Sequence, residues 1–201
     1  MFFKFIWFRC ISCLLIIAVV SGALLSALNS LLFVSPETRT ARAIGKIYGE
    51  EKAYYTILDP DALVDGGDES TQQPIEYDGA GKINKIYEID GDLLFQTTGY
   101  KGYKNGTITL WVKTVKDGEK YSIDRVLLET SEKQTLMSKL SGGFYDGFCL
   151  TDVTAAYNGG DLFSATDKNA ENYNPVSGAT YSATAAANAV NCVIRYLGGE
   201  K

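Results

Sequence analysis

The stretch KINKIYEIDGDLLFQTT, residues 82–98, decides the fold. Two strand-like runs, Lys82–Ile89 and Asp92–Thr98, flank Asp90-Gly91, a dipeptide that supplies the positive φ a tight hairpin demands. Thr107–Val115 and Tyr121–Glu129 follow downstream, set apart by Asn105-Gly106 and Asp117-Gly118. Four such runs in succession predict an antiparallel meander. Gly79-Ala80-Gly81-Lys82 has the look of a phosphate loop, but Glu76 stands where GxxxxGK needs its first glycine. These glycines read as turn residues. Asn105-Gly106-Thr107 is a formal glycosylation sequon that the turn explains equally well.

On the carboxyl side, Glu132–Leu140 reads as a short helix ended by Gly142-Gly143. Asp146–Asn174, rich in Gly, Asp and Asn, reads as loop with short strands. The last element is an amphipathic helix: Ala183, Ala186, Val190, Ile194 and Leu197 share one stripe, and Gly198-Gly199 ends it. On the amino side, Ala41, Ile44, Ile47 and Tyr48 recur at helical spacing within 37–55. Leu58–Pro74 reads as an acidic loop. It fails as an EF-hand starting at Asp59, because Leu63 and Val64 stand where a ligand and the glycine belong.

From Cys10 to Val34 no residue is charged, and a helix of that length, roughly 37 Å, exceeds the hydrocarbon core of a bilayer. Ser21-Gly22-Ala23 resembles a signal-peptidase site, but the apolar run continues to Val34, which favours a retained anchor. Lys4 and Arg9 place the amino terminus in the cytoplasm and the following domain outside it, a bias opposed by Arg39, Arg42 and Lys46. The organisation expected is 1–9 as cytoplasmic terminus, 10–34 as transmembrane helix, 35–74 as membrane-proximal helix and loop, and 75–201 as the main domain. The fold class expected is α+β, an antiparallel sheet with flanking helices behind one N-terminal transmembrane helix.

Composition narrows the chemistry. Removing Lys4 and Arg9 from the 19 basic residues leaves 17 against 24 acids, a net of −7 that argues against nucleic acid as a partner. Histidine is absent, which excludes Ser-His-Asp and Cys-His catalysis and His-based zinc sites. Cys10 and Cys13 read as plain membrane cysteines; Cys149 and Cys192 are open to pairing or to two buried thiols.

Immediately before the last helix stands Asn174-Pro175-Val176-Ser177-Gly178-Ala179-Thr180-Tyr181-Ser182. A Gly-containing turn feeding a helix amino terminus suits an anion, because the first turn's N–H groups are free and the dipole favours negative charge. Small residues at 178 and 179 let a bulky group approach, and Thr180 presents its hydroxyl there. The plain alternative is that Ser177, Thr180 or Ser182 caps the helix.

Ser177-Gly178-Ala179-Thr180 resembles the covalent FMN-attachment motif of the FMN-binding domain family, found in the G subunit of Rnf electron-transport complexes and the C subunit of sodium-translocating NADH:quinone reductase. Gly99-Tyr100-Lys101-Gly102 resembles the family's Gly-Tyr-x-Gly turn, and overall length is closer to the Rnf G subunit. The resemblance implies an FMN phosphoester on Thr180, made by a separate magnesium-dependent flavin transferase, with Ser177, Gly178, Ala179, Ser182, Gly99, Tyr100 and Glu132 as further cofactor-binding residues. It also implies one-electron relay as a subunit of an ion-translocating, membrane-bound complex, with the bilayer and the other subunits as partners. Tyr100, Tyr103, Trp111, Tyr145 and Tyr181 are the aromatic candidates to flank the ring, and Lys101 and Lys104 the cations to favour a reduced anionic flavin. Two departures stand out. Asn174 replaces the family's Asp, and Glu132-Lys133-Gln134-Thr135-Leu136-Met137 occupies the place of its Glu-Thr-Pro-Gly-Leu-Gly loop, keeping only Glu132 and Leu136. A stand-alone extracytoplasmic flavin carrier and an unmodified, membrane-tethered binding protein are the alternative functions.

Overall fold

A computed structural model of the chain describes residues 2–49, 55–58, 73–141 and 143–200. The acidic stretch 59–68 and Gly142 lie outside these residues, as does the side chain of Lys4. Two compact units emerge, Met1–Arg42 and Ala43–Lys201.

The first unit is dominated by helix α1, Phe2–Leu32. Its stretch Trp7–Leu32 is 26 residues, about 39 Å of helix, long and apolar enough to cross a bilayer. Helix α2, Pro36–Tyr48, starts where Ser35 Oγ accepts the amide of Thr38, with Pro36 at the first helical position. Gly49, at φ +78°, ends it.

The second unit is an α+β fold built on an antiparallel sheet. Strands β3 (Gly81–Ile89), β4 (Asp92–Gly99), β5 (Ile108–Asp117) and β6 (Lys120–Ser131) form the expected meander. Two short strands, β1 (Thr56–Leu58) and β2 (Ile75–Tyr77), pair with opposite ends of β3. Asp90 and Gly91 both take positive φ between the paired residues Ile89 and Asp92, as a two-residue hairpin requires.

Both sheet faces are covered. Successive residues of β4 point opposite ways: Leu93 and Phe95 enter the main core, and Leu94 the smaller one. The smaller core joins Leu94, Tyr87, Ile89 and Trp111 to Ile44 and Ile47 at the end of α2. The main core lies under helix α5, Thr180–Leu197, whose Val190, Val193 and Ile194 are fully buried. Each such side chain is worth roughly 1.5–3 kcal/mol of transfer free energy. Alanines at 183, 185, 186, 187 and 189 are buried too, which lets the helix lie close against the sheet.

Two short helices complete the unit. Helix α3 is Gly143–Asp146, so Gly143 opens a helical turn rather than ending one. Helix α4, Val153–Gly159, occupies a stretch expected to hold short strands. Asp152 caps α4 by accepting the amide of Ala155, and Gly160 at φ +75° closes it. Strand character in this region is limited to two isolated bridges, Ile123–Leu150 and Ser164–Tyr173. Asn191 of α5 fastens the following loop by accepting from the Phe163 amide and donating to the Phe163 carbonyl.

Candidate functional site

Gly178 has φ +76°, a conformation glycine adopts freely, and it turns the chain into α5. Ala179 is buried, its N–H bonded to Val176 O, so the turn is anchored from within. Thr180 is then the first residue of the helix and lies on the surface. No side chain caps α5. The Thr180 hydroxyl makes no hydrogen bond among the described residues, and the amides of Thr180, Tyr181 and Ser182 meet no acceptor there. The capping alternative is therefore not what the chain uses. An uncapped amino terminus of an 18-residue helix surrounds a free hydroxyl with outward N–H groups.

Two loops close on this turn. In the first, Tyr100–Thr107, residues Lys101, Lys104 and Asn105 all have positive φ. Gly106, expected to supply that conformation, is extended at φ −76°. It is glycine because a Cβ there would run into the Glu132 carbonyl and come within 2.5 Å of Gln134 Nε2. In the second, Glu132–Leu140, the expected helix does not form. Lys133 and Leu136 take left-handed φ of +54° and +60°, and only Met137–Lys139 make a single 3-10 turn. Gln134 joins all three segments: its Oε1 accepts from Tyr103 N at 3.1 Å and from Ser182 Oγ at 2.7 Å, while Nε2 donates to Glu132 O at 3.0 Å. Lys139 Nζ donates to Ser177 O at 3.0 Å and lies across Gly178, where a Cβ would come within 2.7 Å of it.

The predicted site residues divide sharply. Ser177, Gly178, Ala179, Thr180 and Ser182 form the turn, with Ser182 only 2% exposed and bonded inward to Gln134. Tyr103 and Tyr181 come together at 6.4 Å between ring centres, and Tyr181 is 66% exposed beside Thr180. Glu132 exchanges both backbone bonds with Thr107, and its side chain is exposed. Tyr100 faces elsewhere, its hydroxyl donating to Glu76. Gly99 is a packing residue, since a Cβ there would collide with the Ala185 carbonyl and lie 2.5 Å from Ala189 N. Trp111 belongs to the core on the far sheet face, and Tyr145 is buried in α3 against Phe144. Of the lysines, Lys104 sits over the Tyr103 ring at 5.5 Å, and Lys101 Nζ lies on the Gly79 side.

Asn174 is bonded to helix α3. Its amide donates to Phe144 O at 3.1 Å and its side chain packs on Gly147. A carboxylate could not donate that bond, so asparagine suits this position on local grounds. Gln134 and Lys139 were not singled out in the sequence. The available signal was the replacement of the family loop by 132–137, which marks the segment as different without saying what it does.

Cys149 and Cys192 are unpaired: Cys149 is exposed beside Asp124 O, and Cys192 is buried in α5. Burial pushes the Cys192 thiol up to about 12, which makes it inert. The described residues contain no cluster of metal-ligating side chains. Comparison of the chain with protein-family models, with curated proteins and with solved structures returns no match.

Proposed function

We propose that the chain is a membrane-anchored electron carrier bearing FMN as a phosphoester on Thr180, a subunit of an Rnf-type ion-translocating complex. The observation that carries this reading is the unbonded Thr180 hydroxyl at an uncapped helix amino terminus, with the Lys139 ammonium across the adjoining turn. These residues fit a phosphate. The turn supplies N–H donors, helix dipole and cation where the phosphoryl oxygens would lie, and such a terminus favours an anion by about 0.3–1 kcal/mol. The exposed Tyr103–Tyr181 pair offers aromatic surface beside it.

Thr180 Oγ1 would be the nucleophile that holds the flavin phosphate: attachment from FAD would join that oxygen to the flavin-side phosphorus as the phosphoanhydride bond breaks, with AMP as the leaving group and the hydroxyl proton passing to solvent. No base contacts the Thr180 hydroxyl among the described residues, in keeping with an external transferase supplying that chemistry. Bound flavin supplies one-electron redox chemistry; this chain's residues orient it and set its electrostatics. The bilayer partner is α1; Lys4 and Arg9 on its amino side favour a cytoplasmic amino terminus with the second unit outside, a bias opposed by Arg39, Arg42 and Lys46.

The test is flavin fluorescence in a denaturing gel, with and without co-expressed flavin transferase. The proposal expects a fluorescent band that needs the transferase and disappears in Thr180→Val. A dark band despite a transferase active on another substrate leaves an unmodified tethered protein instead.

A further inference from the structure

We propose that Gln134 is the positioning residue for flavin attachment, its amide fixing the rotation of α5's first turn so that Thr180 faces outward. The inference rests on the attachment reading.

Ser182 and Thr180 are two residues apart, about 200° around the helix, so holding one inward holds the other outward. Ser182 is buried and its hydroxyl donates to Gln134 Oε1 at 2.7 Å, with Thr135 O a longer second acceptor at 3.4 Å. The same oxygen accepts from Tyr103 N at 3.1 Å, which ties the turn to the loop carrying the Tyr103 ring. Gln134 Nε2 donates to Glu132 O at 3.0 Å, so the amide is fixed in orientation. The slot is cut for this side chain. Gly102 and Gly106 border it, and a Cβ on either would strike the Gln134 amide.

The flanking backbone bears this out. Lys133 and Leu136, neither of them glycine or asparagine, hold left-handed φ of +54° and +60° on either side. Such strain persists only where surrounding contacts over-determine it. Gln134 is the residue between them with bonds to three separate backbone or side-chain partners. A helix turn free to rotate would spend less time with its hydroxyl aligned for an incoming phosphorus, and small misalignments lower transfer rates steeply.

The test uses the full-length chain in detergent, flavin transferase and FAD, with Gln134→Met and Gln134→Glu. Met matches the length and has no strong acceptor; Glu keeps the acceptor for Tyr103 N and Ser182 Oγ but sets a carboxylate oxygen against Glu132 O in place of the Nε2 donor. The transferase's kcat/KM for this chain should fall roughly tenfold with Gln134→Met, the scale of one lost hydrogen bond of this kind, and recover in part with Gln134→Glu, which keeps the acceptor and loses the donor. Hydrogen exchange at the Tyr103 amide, read on the flavin-free chain, should become fast in Met and slow again in Glu. Wild-type attachment by Gln134→Met with a fast-exchanging Tyr103 amide overturns the proposal, as does an unchanged amide. Should Gln134→Met fail to fold, Ser182→Ala decides, because it removes the helix-side donor and leaves the Tyr103 N bond in place: a several-fold loss of kcat/KM with the Tyr103 amide still protected supports the proposal, and a wild-type rate overturns it. Absence of flavin on the wild-type chain is a separate result that removes the attachment reading itself.

Discussion

Gly99→Ala is the sharpest perturbation of the packing that holds Thr180 in place. Gly99 ends β4 beneath α5, and an added methyl would collide with the Ala185 carbonyl and approach Ala189 N to 2.5 Å and Ala185 C to 2.9 Å. All three neighbours are helix backbone, so no side-chain rotation relieves the clash. The helix must move off the sheet, and Val190, Val193 and Ile194 are fully buried against the same core. Overpacking of this kind costs about 3 kcal/mol. For a unit of this size that shifts the melting temperature by roughly 6–12 °C. The assay is thermal unfolding of the detergent-solubilised chain by Trp111 fluorescence, with Trp7 replaced by phenylalanine to silence α1. Gly143→Ala is the control, because nothing lies within 4 Å of its Cβ position. It should change stability by no more than about 1 kcal/mol, and in the stabilising direction. Gly99→Ala within about 1 kcal/mol of wild type would refute the close helix–sheet contact.

Asn174→Asp should destabilise by about 1–3 kcal/mol at neutral pH, since a carboxylate would face Phe144 O where the amide now donates at 3.1 Å. The loss should shrink in acid, where the protonated carboxyl can donate; urea titration at pH 4 and pH 7 checks the sign. Stability should also fall in alkali. Burial raises the Cys192 thiol from 9.0 and the Tyr145 hydroxyl from 10.0, each to about 12. The folded state therefore keeps protons that the unfolded chain releases, and stability complete below pH 9 declines as pH rises towards 12. A flat profile from pH 9 to pH 12 contradicts those burials. Iodoacetamide at pH 8 should label Cys149 without denaturant and Cys192 only with it, as mass mapping of the alkylated peptides would show.

The sheet was legible because its punctuation is local. Asp90-Gly91 and Gly118 carry positive φ at the two tight hairpins, and the strands between them begin and end within two residues of expectation. Asn105-Gly106 misled for a physical reason. Lys104 and Asn105 take the left-handed conformation, while Gly106 is needed for room against Glu132 and Gln134, a tertiary demand no dipeptide announces. Glu132–Leu140 contains good helix formers, but the bonds of Gln134 to Tyr103 and Ser182 draw the segment into a strained loop. Helix α4 did have a signal, Asp152 ahead of Val153-Thr154-Ala155-Ala156 with Gly159-Gly160 behind, hidden by the polar composition around it. The turn at Ser177–Thr180 was visible from its small residues. The partners that complete it, Gln134 and Lys139, arrive from a distant loop and left no pattern beside it.

The central claim concerns one oxygen atom. The full-length chain, incubated with flavin transferase, magnesium and FAD, can be digested and its peptides weighed. The account predicts a mass increment of one FMN on the peptide containing Thr180, fragmentation placing it on that residue, and no increment in Thr180→Val. An unmodified Thr180 peptide beside a fully labelled control substrate, or FMN located on Ser177 or Ser182 instead, would contradict it.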